Sequence, residues 1–219
     1  MSSTYHVRRI VSAPFAENTF VARFEGRDDC LIVDPGLEPE QIVAYVEREQ
    51  LTPAMILNTH GHADHIAGNA EMKRLWPECP LVIGRGDAPK LASAALNLSL
   101  GFGMPITSPP ADRLLDEGDI VSAAGFEFKV AEIPGHSIGH IVFIARGASP
   151  PFVFGGDVLF AGSTGRWDFP DGNREQLFHG IRTKLFTLPD ETVVYPGHGQ
   201  RTTTGAEKST NPVLNGAYD

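Results

Sequence analysis

Between Asn58 and Ile66 the chain reads NTHGHADHI, with three histidines and an aspartate in the six positions from His60 to His65. A helix would spoil one face with so many polar groups, and a strand would point half of them into a core. His60 and His62 stand two apart, so an extended backbone can aim both at one point. Asp64 and His65 follow as the chain turns toward a helix. Three further segments set a ligand-type side chain beside glycine at the end of a strand-like run: PGHSIGH (Pro134 to His140), GGDVLF (Gly155 to Phe160) and YPGHGQ (Tyr195 to Gln200). Glycine there permits close backbone approach and unusual dihedrals. Five of the eight histidines, His60, His62, His65, His136 and His198, thus join Asp64 and Asp157 in a set of seven ligands. That is enough for two adjacent divalent ions, and imidazole with carboxylate favours zinc, iron or manganese over calcium. A purely structural zinc site fits poorly, since it takes four ligands and no cysteine takes part here.

The elements that must position these residues follow from periodicity. HVRRIV from His6, TFVARF from Thr19 and CLIV from Cys30 read as strands in antiparallel hairpins, with EGRDD as a turn. PEQIVAYVERE from Pro39 has helical spacing at Ile42, Val43 and Val46. A short strand from Ala54 runs into the histidine cluster, and a helix is expected from about Asp64 through Met72 to Leu75. Pro80 to Gly84 reads as a strand, Asp87 to Leu100 as a helix, and GFGMPITSPP from Gly101 as an irregular loop. Arg113 to Val130 reads as paired strands turning at Ala124-Gly125. Strands from Ile141 and Phe152 follow, then an amphipathic segment from Arg174 to Phe186, then a last strand from Thr192. Strands and helices alternate in both halves, with hairpins in each, which predicts two sheets covered by helices rather than one parallel sheet. Every ligand-bearing motif falls in a loop after a strand, where a rigid scaffold can hold it.

Composition narrows the function classes. The 219 residues suffice for one domain with a full core. The formal charge is 18 − 27 = −9, with basic residues scattered rather than gathered in a stripe, which argues against a nucleic-acid partner. No apolar run reaches the roughly 20 residues needed to cross a bilayer, and the first residues lack a secretory apolar region, so a cytoplasmic location without a membrane partner is expected. Cys30 and Cys79 read as apolar fillers.

THGHADH (Thr59 to His65), with His136, Asp157 and His198 downstream, resembles the metallo-β-lactamase-fold hydrolases. The resemblance runs from the turn Asp34-Pro35-Gly36 to His198. It implies an α+β protein, a four-layer αβ/βα sandwich of two mixed sheets covered by helices, with metals at one edge. Carried over residue by residue, His60, His62 and His136 would hold one metal and Asp64, His65 and His198 the other. Asp157 would bridge them, and a bridging hydroxide would attack a carbonyl, with Asp64 orienting the nucleophilic water. Within the family, GDVLFAGSTGRWDFP from Gly156, IPGHSIGH from Ile133 and GHGQRTTTGAEKSTNP from Gly197 look most like the short, single-domain type of glyoxalase II, the hydroxyacylglutathione hydrolases. That likeness implies hydrolysis of a 2-hydroxyacyl thioester by one domain over residues 1–219, without the C-terminal helical domain that completes the glutathione site in longer members. Asp168 and Gln200 stand where those members carry glutathione-binding tyrosines, which leaves the thiol carrier open.

Arg166 is a candidate clamp for a substrate carboxylate, and Trp167 and Phe169 are candidate pocket-lining residues. His140 and Asp34 are read as supports behind the metals rather than ligands. His179 and His6 read as exposed. The alternative within the same fold is a persulfide dioxygenase with a single iron on two histidines and an aspartate, or a hydrolase of another ester or thioester. His140 favours the hydrolase, because the dioxygenases tend to lack that second histidine.

Overall fold

The computed structural model describes residues 4–215. Its first half opens with the expected hairpins, β1 (Tyr5–Ser12), β2 (Glu17–Phe24) and β3 (Asp29–Val33). Helix α1 (Pro39–Arg48) has proline in its first turn, where the missing N–H is no loss. It crosses over to β4 (Thr52–Leu57), parallel to β3. Then come α2 (Ala63–Ile66), α3 (Asn69–Leu75), β5 (Leu81–Gly84), α4 (Ala88–Leu91) and β6 (Arg113–Leu115). These six strands form one sheet in sequence order, antiparallel over its first three and parallel over the rest.

The second half supplies β7 (Ile120–Ala123), β8 (Phe126–Glu132), β9 (Ile141–Ala145), β10 (Phe152–Gly156), the hairpin β11 (Leu159–Phe160) and β12 (Ser163–Thr164), α5 (Arg174–Gly180), β13 (Val193–Pro196), β14 (Thr202–Thr203) and α6 (Thr204–Thr210). The second sheet runs β14-β13-β10-β9-β8-β7 and is also mixed, since only β10 and β13 are parallel.

Period-two alternation sorts each strand between two cores. In β3, Leu31 and Val33 face the other sheet, while Cys30 and Ile32 face Ile42 and Val46 of α1 and Met72 of α3. In β10, Phe152 and Phe154 point between the sheets, while Val153 packs outward with Leu177, Phe178 and Ile181. The result is the four-layer αβ/βα sandwich, α+β in class. Both cysteines are buried, and burial pushes each thiol up to about 12. Among the described residues no helix is long and apolar enough to cross a membrane.

Several elements depart from the sequence expectation. The helix expected from Asp64 to Leu75 breaks at Ala67-Gly68, because Gly68 packs on the backbone of Pro35 and Gly36 and donates its N–H to the Pro35 carbonyl. Asp87 to Leu100 is not one helix. Only α4 and short 3-10 turns form, and side chains take over the backbone groups: Asn97 Nδ2 donates to the Lys90 carbonyl, and Ser93 Oγ accepts from the Leu96 N–H. Arg113–Leu115 pairs with β5 in the first sheet, so the chain changes sheets before β7 rather than folding back on itself. The strand at Val193 is not the last, since β14 pairs with it. The β11–β12 hairpin, two residues per strand, is too short for a periodic signal.

Phe128 is fully buried between the sheets and meets the rings of Phe126, Phe143, Phe152 and Phe154 at centroid distances of 5.7–6.1 Å. Phe128→Ala is expected to lower stability by about 3–5 kcal/mol, read as a fall in the denaturation midpoint in urea. A loss below about 1 kcal/mol would show that the inter-sheet core closes over the cavity.

Candidate metal centre

Strand ends bring the seven residues together at one edge of the sandwich. His60 to His65 follow β4, His136 lies in the β8–β9 connection, Asp157 follows β10 and His198 follows β13. Gly156, at φ +48°, turns the chain out of β10 so closely against Thr59 and His140 that a side chain there would collide with both.

His62 Nδ1 stands 3.1 Å from His60 Nε2 and 2.9 Å from His136 Nε2. The far nitrogen of His136, Nδ1, lies 2.8 Å from the Arg166 carbonyl oxygen, which can only accept. His136 Nδ1 therefore carries the hydrogen and its Nε2 a lone pair. His60 Nδ1 sits 3.2 Å from Thr59 Oγ1, whose own hydrogen goes to Asp34. His60 Nε2 is likewise a lone pair, so His62 Nδ1 faces two acceptors and can satisfy only one. A cation satisfies all three.

The second group tells the same story. His65 Nδ1 donates to Asp34 Oδ2 at 3.1 Å, and His198 Nδ1 to the Phe15 carbonyl at 3.1 Å. That turns His65 Nε2 toward Asp157 Oδ1 (3.5 Å) and Asp64 Oδ2 (3.8 Å), and His198 Nε2 toward Asp64 Oδ2 (3.3 Å). Asp157 Oδ2 lies 3.5 Å from both His136 Nε2 and His198 Nε2, between the two groups. His65 Nε2 and Asp157 Oδ1 are buried without a hydrogen-bond partner. Such groups are costly unless something pairs them. The triads His60–His62–His136, His60–His65–Asp157 and Asp64–His65–His198 each bring ligand atoms within 4.8 Å of one another. The residues present fit divalent metal ions.

Charge divides the cluster. Burial holds His60 and His62 well below the ordinary imidazole value, and His136 below it, so these three are neutral and ready to ligate. Burial works against protonation of His65 and His198 too, yet it is outweighed. Asp64, Asp157 and Asp34 raise His65 well above the usual value, and Asp157 and Asp64 raise His198. Asp64 is itself buried, which opposes its charge, but His65 and His198 hold it below the usual carboxylate range.

Behind the ligands stand two buried carboxylates. Asp34, at φ +48° after β3, accepts from the Thr59 N–H (2.7 Å), the Thr59 hydroxyl (2.7 Å) and His65, as its place in the turn suggested. Asp87 was not anticipated. It accepts from the Gly61 N–H (2.8 Å), Ser137 Oγ (2.7 Å) and the Gly139 N–H (2.8 Å), clasping the His60–His62 loop to the His136 loop. The motif RGDAP after β5 held no metal-type pattern to flag it. His140 accepts the Asp157 N–H through Nε2 at 3.0 Å and stacks on His60 at 4.8 Å. His6 and His179 are exposed.

A cavity of about 370 Å³ opens over the cluster and is bordered by Arg166 and Phe169. Trp167 is not part of it. Its ring packs edge-on against Phe178 at 5.4 Å, in the core outside the second sheet. Arg166 is not free to clamp a substrate as it stands, since Asp168 holds its guanidinium through two hydrogen bonds of 2.9 Å. Sequence reasoning also missed Phe15 and the segment from Asn97 to Ile106, which form much of the cavity wall.

A metal-binding edge on an αβ/βα sandwich defines the class of metal-dependent hydrolases built on that fold. The chain belongs to the metallo-beta-lactamase superfamily, whose family model matches residues 13–198. It is 38% identical over 210 residues to the probable metallo-hydrolase YqgX of Bacillus subtilis, covering 95% of this chain and 97% of that one. It is 37% identical over 200 residues to the hydroxyacylglutathione hydrolase GloC of Haemophilus influenzae, covering 88% and 90%. Among solved structures, the BLEG-1 B3 metallo-beta-lactamase superposes with a TM-score of 0.91 at 35% identity, over 96% of this chain and 100% of that one. TTHA1623, in a di-iron-bound form, superposes with a TM-score of 0.81 at 36% identity, over 94% and 99%.

Two outcomes are expected. Asp34→Ala should weaken metal binding about 10- to 100-fold, measured by competition with a chromophoric chelator, because His65 loses its orienting acceptor. Unchanged affinity would remove that role from Asp34. Because His65 and His198 are raised, metal uptake at neutral pH should release protons, and affinity should fall as pH falls. Calorimetric titration in buffers of different ionisation enthalpy reads the proton count, and a count of zero would contradict the ionic half of the cluster.

Proposed function

We propose that the chain hydrolyses a thioester, converting a 2-hydroxyacyl thioester and water to a 2-hydroxy acid and a free thiol. One observation carries this reading: seven ligand side chains gather in two groups that share Asp157, beneath an open cavity. His60, His62 and His136 would hold one divalent ion, Asp64, His65 and His198 the other, with Asp157 between. Bound there, two ions of zinc, iron or manganese would supply an acidified water and a positive field for the carbonyl oxygen.

The chain's own side chains set the geometry for that chemistry. Asp64 and Asp157 border the cavity, so their carboxylate oxygens can accept hydrogen bonds from the attacking water and direct its lone pair at the carbonyl carbon. Asp34 and the Arg166 and Phe15 carbonyls fix three imidazole orientations, so little reorganisation accompanies the reaction. The similarity to GloC, a hydroxyacylglutathione hydrolase by name, supports a thioester as the bond cleaved. The single-iron dioxygenase alternative is less favoured, since it would leave most of the convergent cluster without work. A β-lactam is the second reading, favoured by the 35% identity to a protein named a B3 metallo-beta-lactamase.

Thiol release from S-lactoylglutathione, by chain loaded separately with each metal, tests the first reading. Hydrolysis should vanish with a chelator and return with metal. His62→Ala should lose metal and more than about a hundredfold in kcat/KM. Normal turnover by that variant would sink the two-ion assignment. Ring opening of a chromogenic β-lactam without thioester turnover would favour the second reading, and oxygen uptake with a persulfide the dioxygenase.

A further inference from the structure

The cavity over the metal centre has a polar floor and apolar walls. Phe15, Leu98, Phe102, Met104, Phe160 and Phe169 rise around the ligand side chains. Phe102 is 58% exposed and Met104 40%, with Leu100 at 59% beside them. Contiguous apolar side chains left in water at a cavity mouth mark a surface that something apolar covers.

The mouth is built rather than incidental. Asn97 staples the base of its loop, donating from Nδ2 to the carbonyls of Lys90 (3.1 Å) and Ile106 (2.9 Å) and accepting at Oδ1 from Ser99 Oγ (2.6 Å). Ser99 Oγ in turn accepts the Ile106 N–H at 3.0 Å. The Ala63 N–H donates to the Asn97 carbonyl at 3.0 Å, fixing this base to the residue after His62. Across the opening, Phe15 from the β1–β2 turn meets Phe102 edge-on at 5.1 Å. A Cβ added at Gly101 or Gly103 of the loop tip would meet open space. Charge is missing where an anionic carrier would need it. Among the residues bordering the cavity Arg166 is the one Lys or Arg, and Asp168 already neutralises it, while the ring of Phe169 lies 4.6 Å beneath the guanidinium.

We propose that the apolar mouth selects the acyl group: the substrate is a thioester whose hydrocarbon acyl chain lies between Phe15, Phe102 and Met104, on a thiol carrier that need not be anionic. This rests on the thioester reading above. Water adds to the carbonyl carbon, the C–S bond breaks, and the departing thiolate takes up the proton that the water gives up. Burying each successive CH2 in the mouth then favours the longer acyl chain.

The test is a two-way series on the metal-loaded chain: acetyl, butyryl, hexanoyl and octanoyl thioesters, each on neutral N-acetylcysteamine and on glutathione. kcat/KM should rise about two- to fourfold per CH2, and equally on both thiols. Phe102→Ser should flatten the gradient, whereas Ile120→Ser, exposed on β7, should retain it. The affinities of acetate, butyrate, hexanoate and octanoate, measured by calorimetry on the same loaded chain, should climb with length. Thioester hydrolysis that is indifferent to chain length, or dependent on glutathione, would overturn the proposal and leave the thioester reading standing. If no thioester is cleaved, that reading falls. The carboxylate series then decides alone: a gradient lost in Phe102→Ser upholds the apolar mouth, and a flat series overturns it.

Discussion

Five imidazoles and two carboxylates crowded at a mostly buried edge are an arrangement no chain adopts cheaply. His62 Nδ1 faces two lone pairs, and His65 Nε2 and Asp157 Oδ1 are buried without a hydrogen-bond partner. Removing such groups from water without compensation costs several kcal/mol. The rest of the architecture answers that cost. Two stiff sheets deliver four strand ends to one place, and two carbonyls, a carboxylate and a hydroxyl behind the rings decide which nitrogen carries the hydrogen in four of the five.

The two sheets divide the task. The first contributes His60 to His65 and their support Asp34, while the second contributes His136, Asp157 and His198. The centre therefore spans the seam between the sheets, where the aromatic packing of Phe20, Phe128 and Phe154 fixes how they sit against each other. Asp87 adds a clasp near the site itself, holding Gly61 of one half to Ser137 and Gly139 of the other. Core packing and ligand geometry are thus one problem, and a shift between the sheets would be felt as a shift between ligands.

Much of this was legible in the sequence because the signals are local. H-x-H spacing, glycine beside a ligand and strand-like runs ahead of each motif all survive in a linear reading, and the structure brings every one of those seven residues together. Two sheets covered by helices followed from alternating strands and helices with hairpins in both halves, and the four-layer sandwich from the family resemblance. What escaped was set by tertiary contact. Asp87 looks like any turn aspartate until the two loops it bonds are folded against it. Trp167 and Phe169 stand two apart, so simple alternation would send them the same way, and only the fold of an irregular segment sent one to the core and one to the cavity. The expected helix over Asp87 to Leu100 failed because Asn97 and Ser99 recruited the backbone for a loop, a competition that propensity does not weigh.

That loop has a consequence for how such a protein can change over generations. Its base is tied by Asn97 and Ser99 to the segment that carries His62, while a Cβ added at Gly101 or Gly103 of its tip would meet open space. Residues added, lost or exchanged at the tip alter the shape of the opening while the clustered histidines and aspartates stay at the strand ends that hold them. The histidine and aspartate cluster and much of the rim of the opening are held in separable stretches of chain, so descent can vary the second while selection keeps the first fixed.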